Sequence, residues 1–229
     1  MARKKPYEDG CATAHALDLI GERWALLIVR ELIPGPQRFS DLRASLPGIS
    51  SNILATRLSE LEDAFVIAKR ILPPPAAAQV YELTEWGAEL EPLVKAIGKW
   101  AAKSPTMAEG MPMSAASVML SFRTMFNPAQ AEGVRLEFDM TMNDRHHSVS
   151  VGDGRLLIVP GQLSNSKTKV VGSPDLIAGV VYGGMPLSEA ERNGLIVEGD
   201  RKIFEEFATL FPLPDKAVNG CVSKDVQQS

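Results

Sequence analysis

From Ser50 to Asp63 the chain reads SSNILATRLSELED. Leu54, Leu58 and Leu61 recur at the spacing of one buried helix face. The other face, Ser51, Asn52, Ala55, Thr56 and Ser59, is short and hydrogen-bonding, where a helix that only needs solubility carries Lys and Glu. Such a face suits the close approach of a polar surface. With Ser50 as cap, the free amides of the first turn favour a phosphate oxygen, and short donors beside them can meet base edges. Arg38, Arg43, Arg57, Lys69 and Arg70 are the cations available nearby for a polyanionic backbone.

Other reactive side chains point less far. Cys11 stands where a helix begins, which lowers a thiol pKa, and Lys4 and Lys5 add to that. It reads either as a sensor thiol or as a small residue at a helix start. Cys221 falls in an expected flexible tail, residues 215–229. His146 and His147 are adjacent on a strand, so they face opposite ways and cannot chelate together; they read as solvated. His15 is alone on a helix. Glu205 and Glu206 flank inward-facing Phe204 and Phe207 and read as solvent-facing. No nucleophile-base pair, glycine-rich phosphate loop or metal-spaced cluster appears, so no catalytic residue, cofactor or metal is expected.

The elements that must position these residues are legible from periodicity. Residues 12–32 keep a three-or-four apolar spacing, divided at Gly21 and stopped by Pro34 to Pro36. RFSDLRASLPG supplies Ser40 as N-cap of a short helix through Leu46. After the Ser50 helix, residues 66–72 and 79–83 read as strands joined by PPPAAA. Thr84 then caps a helix with Leu90, Leu93, Val94, Ile97 and Trp100 in one stripe. Helix, helix, short helix, turn, helix, strand, strand, helix is a winged helix-turn-helix, whose second motif helix enters the major groove of double-stranded DNA.

The chain has 229 residues, 45% of them hydrophobic, enough for two ordinary domains. Its net charge is -4, but residues 1–104 balance at 13 basic and 13 acidic side chains. Two cysteines near opposite ends make no disulfide framework, and no segment approaches the roughly 20 apolar residues of a membrane span. A cytoplasmic protein without membrane contact is expected.

The run CATAHALDLIGERWALLIVRELIPGPQRFSDLRASLPGISSNILATRLSELED, continued through VYELTEWGAEL, resembles the HxlR family of bacterial winged-helix transcriptional regulators over roughly residues 11–102. The resemblance implies a homodimer on operator DNA, paired through its first and last helices. It also implies that Cys11 matches a position serving some members as a redox or electrophile sensor. Three departures stand out. SSN opens the recognition helix where a Pro and a basic residue are common, Phe65 replaces a closing Gly, and the wing tip PPPAAAQ lacks an Arg. Fewer phosphate contacts mean weaker nonspecific binding. The bare wing and neutral first half motivate an alternative, a carrier or interaction module with a vestigial helix-turn-helix.

KSPTMAEGMPM, centred on residues 105–113, reads as a linker. Beyond it come a helix at 115–126, alternating runs with an Asp153-Gly154 hairpin turn, and then helix, helix, strand, helix. KVVGSPDLIAGVVYGGMPLSEAERNGLIVEGDRKIFEEFATLF is similar to the SCP2-like, or sterol carrier protein type, fold, which implies a non-catalytic apolar-ligand domain over residues 114–214. The expected fold class is therefore α+β, a winged helix-turn-helix followed by an SCP2-like domain. Phe122, Met125, Phe126, Leu136, Phe138, Val149, Val151, Leu157, Val159, Phe204 and Phe207 are the expected lining of a slot for an acyl or other apolar effector. Met119, Met125, Met140 and Met142 read as adaptable fillers of that slot.

Overall fold

The computed structural model describes residues 6–73, 77–108, 110–161 and 166–218. Lys4, Lys5, the wing tip at 74–76, Cys221 and the tail beyond 218 lie outside the described residues. The first half runs α1 (Ala12–Ile20), α2 (Ala25–Leu32), α3 (Phe39–Ser45), α4 (Ser51–Asp63), β1 (Ile67–Ile71), β2 (Gln79–Leu83), α5 (Glu85–Ala88) and α6 (Leu90–Ala101). Strands β1 and β2 form an antiparallel wing with Lys69 opposite Tyr81. A backbone bridge from Gln37 to Tyr81 ties the wing to the loop after α2. Ile28, Leu32, Leu42, Leu54, Leu58 and Leu61 close a core beneath it, so the α4 spacing read from sequence is buried, whereas Leu17 and Leu27 of the run before it are exposed.

Two local expectations change. Ser40 lies inside α3, whose N-cap is Arg38 with its backbone N–H on the Asp41 carboxylate. Thr84 does cap a helix, accepting from the Gly87 amide, but that helix ends at Ala88 and α6 starts afresh after Glu89. Gly87 sits so close to the wing that a Cβ there would lie 1.9 Å from the Val66 carbonyl oxygen, which explains a glycine at this position.

The second half runs α7 (Ala115–Met125), β3 (Leu136–Met142), β4 (Arg145–Gly152), β5 (Arg155–Pro160), β6 (Lys169–Gly172), α8 (Pro174–Tyr182), α9 (Leu187–Arg192), β7 (Ile196–Glu198) and α10 (Arg201–Ala208). The sheet order is β5-β4-β3-β6-β7, antiparallel except for β3 beside β6. Asp153 and Gly154, both at positive φ, make the turn between β4 and β5.

The expected slot is filled. Phe122, Phe138, Phe204 and Phe207 have no exposed surface, and Phe207 meets Phe122 and Phe138 at ring-centroid distances of 5.2 and 5.0 Å. Leu136, Val149 and Val151 complete this core together with Met119, Met140 and Met142, while Met125 and Phe126 pack at its margin. Leu157 and Val159 belong to the other sheet face, because the register pairs them with Ser150 and Ser148; Leu157 is 58% exposed. RLLIV is apolar at four consecutive positions, so period-2 alternation could not say which parity turns inward. His146 and His147 do face apart. His147, however, is buried, and that burial, with Arg145 adding to it, holds its imidazole below the ordinary pKa.

The halves meet through α7, which packs on both α2 and α6. Ser114 caps α7 by accepting from the Ser117 amide and donates its hydroxyl to Glu31 Oε1 at 2.6 Å. Glu31 has no exposed surface; Arg30 also donates to Oε1, and Oε2 has no hydrogen-bond partner among the described residues. Gln37 donates to the Glu31 carbonyl at 2.8 Å and accepts from Arg145.

Candidate nucleic-acid interface

The Ser50 hydroxyl accepts from the Ile53 amide at 3.2 Å, which fixes the start of α4. Asn52 and Ser59 are exposed, and Ser51 and Thr56 are half-buried. Thr56 donates its hydroxyl to the Asn52 backbone carbonyl at 2.9 Å, and the Asn52 side chain lies at the surface. Arg43, exposed on α3, donates to the Ser51 hydroxyl at 2.6 Å and to the Ile49 carbonyl at 3.4 Å. Its guanidinium therefore stands over the first turn of α4. Arg38 and Ser40 are exposed at the start of α3, with the Ser40 hydroxyl donating to Asp41 at 3.1 Å.

The remaining expected cations are already paired. Arg57 turns back from the exposed face, its side chain 19% exposed, to reach Glu22 at 3.2 Å and also Glu60. It clamps α4 to the turn before α2. Lys69 hydrogen-bonds Glu62, which raises its pKa, and lies 5.8 Å over the Tyr81 ring. Arg70 pairs with Glu82 at 2.8 Å across the wing. The structure thus brings Arg43 to Ser51 at the start of α4, where Ser50, Asn52 and Thr56 also lie, while Arg38 and Ser40 stand exposed at the start of α3. It commits Arg57, Lys69 and Arg70 to carboxylates. Glu22, which holds Arg57, was not singled out from sequence, since nothing in local periodicity marks an ion pair between distant segments.

Two further features lie on the first half. Cys11, an exposed free thiol, is the N-cap of α1, and the donors of the helix start, first the Thr13 amide, then its hydroxyl and the Ala14 amide, draw its pKa below the ordinary thiol value without a formed cap hydrogen bond. On α1 and α6, Leu17, Leu93, Ile97 and Trp100 are exposed apolar side chains, Trp100 at 77%. A shallow apolar groove of about 230 Å³, lined by Leu19, Ile20, Trp86 and Leu90, continues this surface. Among the described residues no group of His, Cys, Asp and Glu is arranged to hold a metal, and no helix is long and apolar enough to cross a membrane.

A capped polar helix over a three-helix core with a two-stranded wing defines a winged helix-turn-helix module. The comparisons with known proteins specify it further. Residues 19–108 match the model of the HxlR-like helix-turn-helix family. The HTH-type transcriptional regulator YvaP of Bacillus subtilis is 41% identical over 86 residues, 38% of this chain and 80% of the relative. YodB of the same organism, another HTH-type transcriptional regulator, is 37% identical over 86 residues, 38% of this chain and 77% of the relative. The chain belongs to the HxlR-like family through its first half. Among solved structures, the reduced form of YodB from B. subtilis is similar at 32% identity, covering 44% of this chain and 100% of that one with a TM-score of 0.39. The redox regulator HypR in its oxidized form is similar at 29% identity, covering 42% and 100% with a TM-score of 0.40.

Proposed function

We propose that this protein is a sequence-specific, cytoplasmic DNA-binding transcriptional regulator that acts as a homodimer and is not an enzyme. One observation carries the reading: the exposed start of α4 offers Asn52 and the Ser50-capped first turn, with the Arg43 guanidinium alongside. That is the equipment for base readout by a side-chain amide flanked by phosphate contacts. Dimerisation through α1 and α6 is supported by Leu17, Leu93, Ile97 and Trp100, whose exposure in the monomer invites cover. We assign residues 1–104 to DNA binding and dimerisation, 105–113 to a linker, and 114–214 to an SCP2-like effector domain. The last assignment is supported by a five-stranded sheet under helices with one apolar core. A gel-shift titration on the gene's own upstream region tests the reading. Wild type should bind, and Asn52→Ala should lose affinity by about 1–3 kcal/mol with its fold intact. Retention of full binding by Asn52→Ala together with Arg43→Ala would mean that α4 is not the reader, and absence of wild-type binding at low salt would leave the carrier alternative standing.

Cys11 supports a second input. Its thiol is exposed and its pKa is lowered, so thiolate is available for oxidation or alkylation. Cys11→Ser is expected to abolish a diamide response in operator binding while sparing binding itself; a response that persists removes Cys11 from this role.

A further inference from the structure

The filled core of the second half leaves an effector without the slot expected from sequence, and a groove between the halves offers a different kind of site. It has a volume of about 440 Å³ and is lined by Glu91 and Lys95 of α6, Arg123 and Phe126 of α7, and residues 154–158 at the hairpin and along β5. Lys95, Arg123 and Arg155 set three positive charges against the single carboxylate of Glu91. Arg123 is held across the groove, 3.3 Å from Glu91 on one side and donating to the Ile158 carbonyl at 3.2 Å on the other. Lys95 and Arg155 have no ion-pair partner among the described residues. The apolar part of the wall is Phe126, Leu156 and Leu157.

Unpaired cations beside an aromatic and two leucines complement a molecule with one anionic end and an apolar body. A neutral hydrocarbon would leave the cations unused, and a small inorganic anion would leave the apolar wall wet. We propose that this groove binds an organic carboxylate with an apolar body, its carboxylate on Lys95 and Arg155 and its body against Phe126 and Leu156. The proposal deepens the effector reading above by moving the site out of the core and naming the ligand class. It also gives the ligand leverage. Lys95 shares α6 with Leu93, Ile97 and Trp100, so a carboxylate bridging Lys95 to Arg155 of β5 ties α6 to the second half, at the helix proposed to set the spacing of the two recognition helices.

The test is calorimetric titration of the full chain with decanoate, with decanol as the same body without charge and acetate as the same charge without a body. Decanoate should bind, and decanol and acetate at least about tenfold more weakly, as should decanoate to Lys95→Gln/Arg155→Gln, the loss expected for a charge-assisted contact. Neither substituted side chain has an ion pair to lose among the described residues, and circular dichroism checks the fold. Equal binding of decanol, undiminished binding by the double variant, or no heat with decanoate up to about 1 mM, roughly 4 kcal/mol of affinity, overturns the proposal. A parallel gel shift without ligand separates the two readings. Operator binding with no decanoate binding removes the groove and leaves the regulator, whereas decanoate binding with no operator binding does the reverse.

Discussion

Phe65 ends α4 in the left-handed region, at φ +58°, with its ring 77% exposed. A residue with a Cβ pays roughly 1–2 kcal/mol for that conformation, and an exposed ring returns little by burial. Glycine there gives back part of the gain as backbone entropy of the unfolded chain, so Phe65→Gly is expected to raise stability by about 0.5–1 kcal/mol. Thermal unfolding checks it, and a lowered midpoint would show that the Phe65 ring contributes contacts worth more than the backbone strain. The sign depends on the surroundings of each residue. Trp24 also has a positive φ, 81°, but its indole packs against the first core and lies 5.2 Å under the Arg23 guanidinium, so glycine would forfeit more than it relieves. Asn143 and Asp153 sit in the same region without such strain, since their short polar side chains tolerate it in hairpin turns.

Ion pairing divides the cations of the motif at the scale of the element. Arg38 and Arg43 carry charge that no carboxylate among the described residues neutralises, whereas Arg57 has spent its charge on Glu22 and Glu60. Loss of a phosphate contact flattens the dependence of log affinity on log salt by about 0.9. Arg38→Ala and Arg43→Ala are each expected to do so. Arg57→Ala should weaken operator binding at unchanged slope, because it releases α4 from the turn before α2. A flattened slope for Arg57→Ala would return it to the DNA backbone. This division also shows where sequence reading stops. The helices, both wing strands, the Ser50 and Thr84 caps and the Asp153-Gly154 turn were legible because each depends on residues within a few positions of one another. The inward parity of β5, the break before α6 and the fate of Arg57 depend on partners distant in the chain, and local pattern carries no record of them. The same holds for the second core. Its apolar positions were visible, but whether facing rings leave a slot or interlock is settled by packing among α7, α10 and β3, which composition does not encode.

At the scale of the molecule, the two cores are joined by contacts that would be costly to leave unmade. The Glu31 carboxylate is fully buried with one oxygen unpartnered among the described residues, so its bonds from Arg30 and Ser114 offset a desolvation that water would otherwise relieve. Arg145 reaches from the second half to Gln37, which holds the Glu31 carbonyl and the wing together. Such coupling predicts that the halves unfold as one unit despite having separate cores. All three tryptophans, Trp24, Trp86 and Trp100, lie in the first half, so indole fluorescence follows that half alone while far-ultraviolet circular dichroism follows both. In urea the two signals should coincide for the wild type. Ser114→Asp keeps a competent N-cap for α7 yet sets a second carboxylate against Glu31, and Arg145→Ala removes the bond to Gln37. Together these substitutions are expected to cost about 2–4 kcal/mol of inter-half coupling, and the fluorescence and dichroism midpoints should then separate. Coincident midpoints in the double variant would mean that apolar packing of α7 on α2 and α6 couples the halves without help from the buried carboxylate.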